Sequence, residues 1–216
     1  MRRKVQILPE PSGARAGRVG SGPVLRLLIT GDSSAAGVGV STQDQALSGQ
    51  IVANLARDFT VDWRLEAATG RTTRDTLEHI QRIDERVDVA VTALGVNDVT
   101  RGRTKKQFVA QQHSLLTHLT GPLGARCVVV SGVPRMELFP ALPQPLAWVL
   151  GKQAKRLDGA LRNVARDYPQ VHHLLPDLPN DPSLAASDGY HPGARLYDLW
   201  AEQIVLIIRA QVARRN

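Results

Sequence analysis

From residue 24 onward the chain alternates between short apolar runs and stretches with helical periodicity, and that alternation leaves few ways to fold. Residues 24–30, 60–66, 87–94, 126–131 and 171–174 have the length and the apolar or β-branched composition of strands. Between them, apolar residues recur at helical spacing: Ile51, Leu55 and Phe59 within 43–59; Leu77 and Ile80 within 72–83; Phe108, Leu115 and Leu119 within 104–119; Leu150, Leu157, Leu161 and Val164 within 147–168. Pro192 suits the first turn of a final helix that runs to near Val212. Strands separated by helices pair in parallel, and a parallel sheet is covered by helices on both faces. The expectation is an α/β fold on a five-stranded parallel sheet, forming a single domain over residues 24–216. A chain of 216 residues can bury such a core without disulfides or metals. The one cysteine, Cys127, opens the apolar run 127–130 and reads as a buried strand residue.

Residues 1–23 depart from this pattern. They are rich in Gly, Pro and Arg and read as a basic N-terminal arm. Within the first 26 residues Arg2, Arg3, Lys4, Arg15, Arg18 and Arg26 face only Glu10, which supplies +5 of the net +7. Such an arm suits a weak contact with anionic surfaces. Nucleic-acid recognition is not expected, because no Lys/Arg run is interleaved with aromatics, which make up only 4% of the chain. Arg2-Arg3-Lys4 resembles the charged start of a signal peptide, but Pro9, Pro11, Gly13 and Gly17 interrupt the place where its apolar segment would lie. No run approaches the roughly 20 apolar residues of a spanning helix, and a soluble, cytoplasmic protein is expected. His79, His113, His118, His172 and His173 have neither a cysteine partner nor a metal-ligand spacing, so no metal or cofactor is expected.

Four short patches carry the chemistry. Ser33 follows the first strand directly, in Gly31-Asp32-Ser33-Ser34, with Ala35, Ala36 and Gly37 after it. A hydroxyl there stands at a strand's carboxyl end, the edge where open α/β sheets bind ligands, and small neighbours let the backbone turn and a substrate approach. Read alone, this serine also fits a helix cap or an anion-cradling turn; G-x-x-x-x-G-K-[ST] and G-x-G-x-x-G are both absent. Gly70 holds the corresponding position after the second strand, and Asn97, in Gly95-Val96-Asn97-Asp98, follows the third. Both suit ordinary turns. Both could also aim a donor, a peptide N–H and a side-chain amide, at a tetrahedral oxyanion together with the Ser33 N–H. His191 lies in Asp188-Gly189-Tyr190-His191-Pro192. An aspartate three residues earlier can accept from one ring nitrogen and leave the other for a serine hydroxyl, which fixes the tautomer and raises basicity. Residues 136–148 form a Pro-broken apolar insertion after the fourth strand. Its Phe139, Leu142, Leu146 and Trp148 either pack on the core or wall an acyl-binding pocket.

At these residues the chain resembles the SGNH hydrolases, also called GDSL esterases and lipases, over residues 24 to about 210. Ser33 in Gly-Asp-Ser-x-x-x-Gly, Gly70, Asn97 in Gly-x-Asn-Asp, and His191 with Asp188 in Asp-x-x-His stand in the family's order. Ser34 replaces the leucine of the eponymous motif; the resemblance assigns the nucleophile to Ser33. It implies a flavodoxin-like three-layer α/β/α sandwich with parallel strand order 2-1-3-4-5. It also implies a catalytic triad of Ser33, Asp188 and His191, an oxyanion hole of Ser33, Gly70 and Asn97, and small-molecule ester substrates. A thioesterase, lysophospholipase or acyltransferase would use the same residues. A non-catalytic binding module would lack one of the Ser, Asn and His, and none is lacking.

Overall fold

The structure, a computed structural model, describes residues 7–213. Arg2, Arg3 and Lys4 of the arm lie outside the described residues. Six strands form one sheet: β1 (Ala16–Val19), β2 (Val24–Gly31), β3 (Thr60–Ala67), β4 (Val89–Ala93), β5 (Cys127–Ser131) and β6 (Val171–Leu174). Their order is β1-β3-β2-β4-β5-β6. All pairs are parallel except β1–β3, which is antiparallel. The expected five-stranded, wholly parallel sheet is therefore corrected to a mixed sheet of six strands. The extra strand comes from the arm, which folds back so that Ala16 faces Arg64 and Val19 faces Val61. A four-residue strand that is exposed along its whole length carries no apolar alternation to betray it.

Strand parity sends side chains to two cores. Leu27, Ile29, Val89 and Val91 point to one face and pack under α1 (Ser33–Ala36), α2 (Leu47–Leu55) and α7 (Ala194–Ala213). Leu28, Ala90, Val128 and Val130 point to the other, under α3 (Thr73–Ile80), α5 (Lys105–Thr120) and α6 (Leu146–Ala165). This is why β4 and β5 are buried at every position, whereas β3, next to the edge, alternates. Capping boxes start α3, by Thr72 with Asp75, and α5, by Thr104 with Gln107, each satisfying two otherwise unpaired backbone donors. A further short helix, α4 (Val96–Thr100), follows β4. Among the described residues no helix is long and apolar enough to cross a membrane.

At the amino edge of the sheet one carboxylate ties three strands. Asp88 Oδ2 accepts from Arg26 N at 3.0 Å and Nε at 2.9 Å, and Oδ1 accepts from Arg26 Nη2 at 3.0 Å and Arg126 Nη2 at 2.7 Å. Burial opposes its charge, but these donors outweigh it and lower its pKa from 3.8 to about 2. A depressed carboxyl stabilises the fold above its unfolded-state pKa and loses that contribution as pH falls through the folded value. The Asp88→Asn variant is expected to unfold about 1–2 kcal/mol more easily at pH 7, after discounting for the half-exposed arginines. The difference from the native chain should shrink as pH drops toward 2. Urea unfolding at several pH values checks this, and a pH-independent difference would count against it.

Candidate active site

The parallel strands end in a single row. Gly31 pairs with both Ala67 and Ala93, and Ala93 pairs with Ser131. The loops that leave this row carry Ser33, Gly70 and Asn97, so all three start from the carboxyl edge of neighbouring strands. Gly31 is required by close approach: a Cβ there would lie 2.1 Å from the Ala93 carbonyl oxygen. Asp32 N continues the ladder to that same oxygen at 3.0 Å.

Ser33 opens the short helix α1, which Asp32 caps by accepting from Ser34 N at 3.0 Å. His191 Nε2 lies 2.8 Å from Ser33 Oγ, and His191 Nδ1 lies 2.6 Å from Asp188 Oδ2. Asp188 Oδ1 also accepts from the backbone of Tyr190 at 2.9 Å and of His191 at 3.1 Å. Burial opposes the Asp188 charge, but the His191 contact and the two N–H donors outweigh it and hold the carboxyl below its ordinary value. The His191 loop can come this close because of Gly39, where a Cβ would lie 2.3 Å from the Pro192 carbonyl oxygen. From beneath, the fully buried Tyr197 of α7 donates its hydroxyl to Val38 O at 2.7 Å and fixes the segment after Ser33. Burial raises the Tyr197 pKa, so this donor stays protonated.

Asn97 sits on α4 behind Gly95, where a Cβ would meet the Val133 side chain at 2.6 Å. Its amide donates to Arg71 O at 3.1 Å and reaches Asp32 Oδ2 at 3.5 Å. The neighbouring Asp98 is fully buried and fastens α4 to α3 by accepting from Thr73 N at 3.1 Å and Thr73 Oγ1 at 2.9 Å. Gly70 has φ +84, and a Cβ there would meet nothing nearer than Arg101 Nη2 at 3.9 Å, so the space beside it is open. Arg101 Nη2 holds the Gly70 carbonyl at 2.7 Å. The arm grips the same loop. Glu10 Oε1 accepts from Thr69 N at 2.7 Å and Thr69 Oγ1 at 2.9 Å, and Oε2 accepts from Arg15 at 3.1 Å. Arg15 also donates to the Ala67 carbonyl.

The insertion is split. Phe139 meets Tyr190 edge-on at 6.3 Å between centroids, and Ala141 N donates to Gly189 O at 3.2 Å, so this part lies against the loop that carries His191. Leu142 packs on the core beside Phe139. Leu146 and Trp148 instead stand exposed on the first turn of α6, and Lys152 Nζ lies 3.6 Å over the Trp148 ring. Of the four residues expected either to pack on the core or to wall a pocket, Phe139 and Leu142 pack against the core, whereas Leu146 and Trp148 face solvent. The histidines of the helices and last strand are engaged elsewhere: His79 with Glu66, His113 with Tyr168, His118 with the Ile80 carbonyl and His173 with Asp158. Among the described residues no group of three or more His, Cys, Asp or Glu is placed to hold a metal ion.

Sequence reasoning missed Asp32, Glu10, Gly39 and Tyr190. Asp32 had a local signal, since an aspartate two residues before an N–H is a common cap. Glu10 had none, because its partner Thr69 lies 59 residues away.

The sequence matches the model of the GDSL-like lipase/acylhydrolase family over residues 29–199. The chain belongs to that family. Solved structures with the same fold include a psychrotrophic esterase from Pseudoalteromonas sp., at TM-score 0.68 and 15% identity, covering 87% of this chain and 98% of that one. A carbohydrate acetylesterase from Sinorhizobium meliloti has TM-score 0.64 and 18% identity, covering 86% of this chain and 99% of that one. An acetyl xylan esterase from Geobacillus stearothermophilus has TM-score 0.61 and 17% identity, covering 90% and 96%. No curated protein matches the sequence.

Asp32 shows the cost of building this site. Burial, with Asp98 adding to it, outweighs its hydrogen bonds and pushes its pKa from 3.8 up to about 7. A raised carboxyl keeps its proton in the native state after the unfolded chain has released it, so stability falls as pH rises from 3.8 to about 7. Relative to an Asp32→Asn variant, the native chain is expected to lose roughly 2–4 kcal/mol across that window. Parallel stability–pH curves for the two proteins would contradict it.

Proposed function

We propose that this protein is a serine esterase that hydrolyses carboxylic esters of small or medium acyl or aryl groups. The observation that carries the reading is the unbroken line from Ser33 Oγ through His191 to Asp188, at 2.8 Å and 2.6 Å, with Gly70 and Asn97 on the loops that leave the neighbouring strands. Membership of a lipase/acylhydrolase family supports it. The acetylesterases among the structures of like fold are in keeping with a short acyl group.

In this reading His191 carries its neutral-state proton on Nδ1, donated to the ionised Asp188, which leaves Nε2 to take the Ser33 proton. Ser33 Oγ then attacks the ester carbonyl. The tetrahedral oxyanion is held by the N–H groups of Ser33 and Gly70 and by the Asn97 amide. One Asn97 N–H is committed to the Arg71 carbonyl at 3.1 Å; the contact with Asp32, at 3.5 Å, is at the outer limit of a hydrogen bond and yields readily to a stronger acceptor. The intermediate collapses as His191 gives its proton to the leaving alkoxide oxygen, and the alcohol departs. Water, deprotonated by the same imidazole, attacks the acyl-Ser33 ester and releases the acid. Phe139 and Tyr190 supply an apolar wall beside the imidazole for the acyl or aryl group.

Ser33→Ala is expected to abolish hydrolysis of p-nitrophenyl acetate and butyrate while leaving the circular dichroism spectrum unchanged. A fluorophosphonate should label the native chain at Ser33 and leave the variant unlabelled; labelling elsewhere, or full activity in the variant, would refute the nucleophile. Asn97→Ala should lower kcat by roughly 10²–10³ with KM little changed, the signature of a lost oxyanion donor. An effect confined to KM would remove Asn97 from that role.

A further inference from the structure

The basic excess of this chain does not sit mainly in its arm. Residues 101–166 contain eleven Lys and Arg but only two acids, Glu137 and Asp158, a balance of +9, while the rest of the chain carries −2. Six of the eleven, Lys105, Lys106, Lys152, Lys155, Arg156 and Arg162, lie on α5 and α6, which pack side by side on one face of the sheet, whereas Arg126 stands at the amino edge with Asp88 and Arg101 holds the Gly70 carbonyl. Asp158 is buried and bonded to His173 and Arg162, so it does not offset the surface charge. Along α6, Lys152, Lys155, Arg156 and Arg166 are exposed, and their spacing places them on one stripe of the helix. Trp148 and Val149 head the same stripe, with Leu146 at its margin. Trp148, Val149 and Leu146 are 55%, 50% and 46% exposed, a cluster of apolar side chains with Lys152 Nζ over the Trp148 ring. They stand where α6 leaves the 136–145 segment, which touches the His191 loop through Ala141 and Gly189.

We propose that the α5–α6 face docks on an anionic lipid surface. Leu146, Trp148 and Val149 enter the headgroup layer, and the lysines and arginines behind them meet lipid phosphates. Charge complementarity selects the partner. A cationic stripe led by Trp and aliphatic anchors matches the division of labour in interfacial helices, where the aromatic ring seats at headgroup depth and the basic residues draw the helix to anionic lipid. A nucleic acid would use the charges but would leave the aliphatic anchors without a role. Lipid binding does not rest on the esterase reading, because it is measured without catalysis.

The test uses the full chain and vesicles of phosphatidylcholine with or without phosphatidylglycerol. Trp63 and Trp200 are buried, at 9% and 8% exposure, so a change in tryptophan emission reports Trp148. The expected result is co-sedimentation with the anionic vesicles that weakens as salt rises, a blue shift of emission, and quenching by brominated lipid. Lys152→Glu/Lys155→Glu/Arg156→Glu should weaken binding by roughly 10-fold or more. Trp148→Ala should remove the blue shift and the quenching while the arginines and lysines still give weak, salt-sensitive binding. No binding to anionic vesicles, equal binding to neutral ones, or indifference to the triple charge reversal would overturn the proposal. So would tighter binding to duplex DNA, or a dimer in light scattering that shields Trp148 without lipid. Failure of the esterase assay leaves these outcomes unchanged, and failure here leaves the Ser33 labelling unchanged.

Discussion

The site depends on the level at which the parallel strands stop. Gly31, Ala67, Ala93, Ser131 and Leu174 are joined through successive pairings into one transverse row. Everything beyond that row is loop, and everything before it is locked by ladder hydrogen bonds. A shift of one residue in any strand would turn its apolar set to the wrong core and move its loop along the edge, so the two clusters of buried side chains enforce the alignment that the loops need. Gly31 is the tightest point of the row. Its missing side chain lets β2 and β4 stay paired up to the residue before Asp32.

Beneath the rim the chain accepts an unfavourable arrangement. Asp32 and Asp98 are both buried and both disfavoured as anions, and the nearby Asp98 adds to the cost of ionising Asp32. Asp32 caps α1 and touches Asn97; Asp98 ties α4 to α3. Their positions make sense only as fixtures for the loops above them. The apolar packing on both faces of the sheet, with Asp88 and its two arginines at the opposite edge, supplies the stability that lets such a pair persist.

Much of the fold was legible because its signals are local. Apolar runs marked the strands of the parallel sheet, apolar residues at helical spacing marked the helices between them, and the three-residue step from Asp188 to His191 already implied a carboxylate–imidazole contact. The contacts that escaped are long in sequence and poor in pattern. The four exposed residues of β1 reveal no face, so their pairing with β3 was invisible. Glu10 and Thr69 are each unremarkable alone. Gly39 reads as a loop glycine until the Pro192 carbonyl is seen against it. The insertion divided at its helix start, because Pro143 and Pro145 lead directly into α6 and turn Leu146 and Trp148 away from Phe139.

The clasp by Glu10 and Arg15 has a further implication. Both residues precede the span that matches the family, yet they hold the backbone on either side of Ala68, two residues short of Gly70. A fragment trimmed to begin at residue 24 would keep the five parallel strands and every residue of the four motifs and still present a slacker rim, with the amide and hydroxyl of Thr69 left to water. Comparisons of relatives made on such trimmed pieces would therefore confuse differences in chemistry with differences in how firmly one loop is moored.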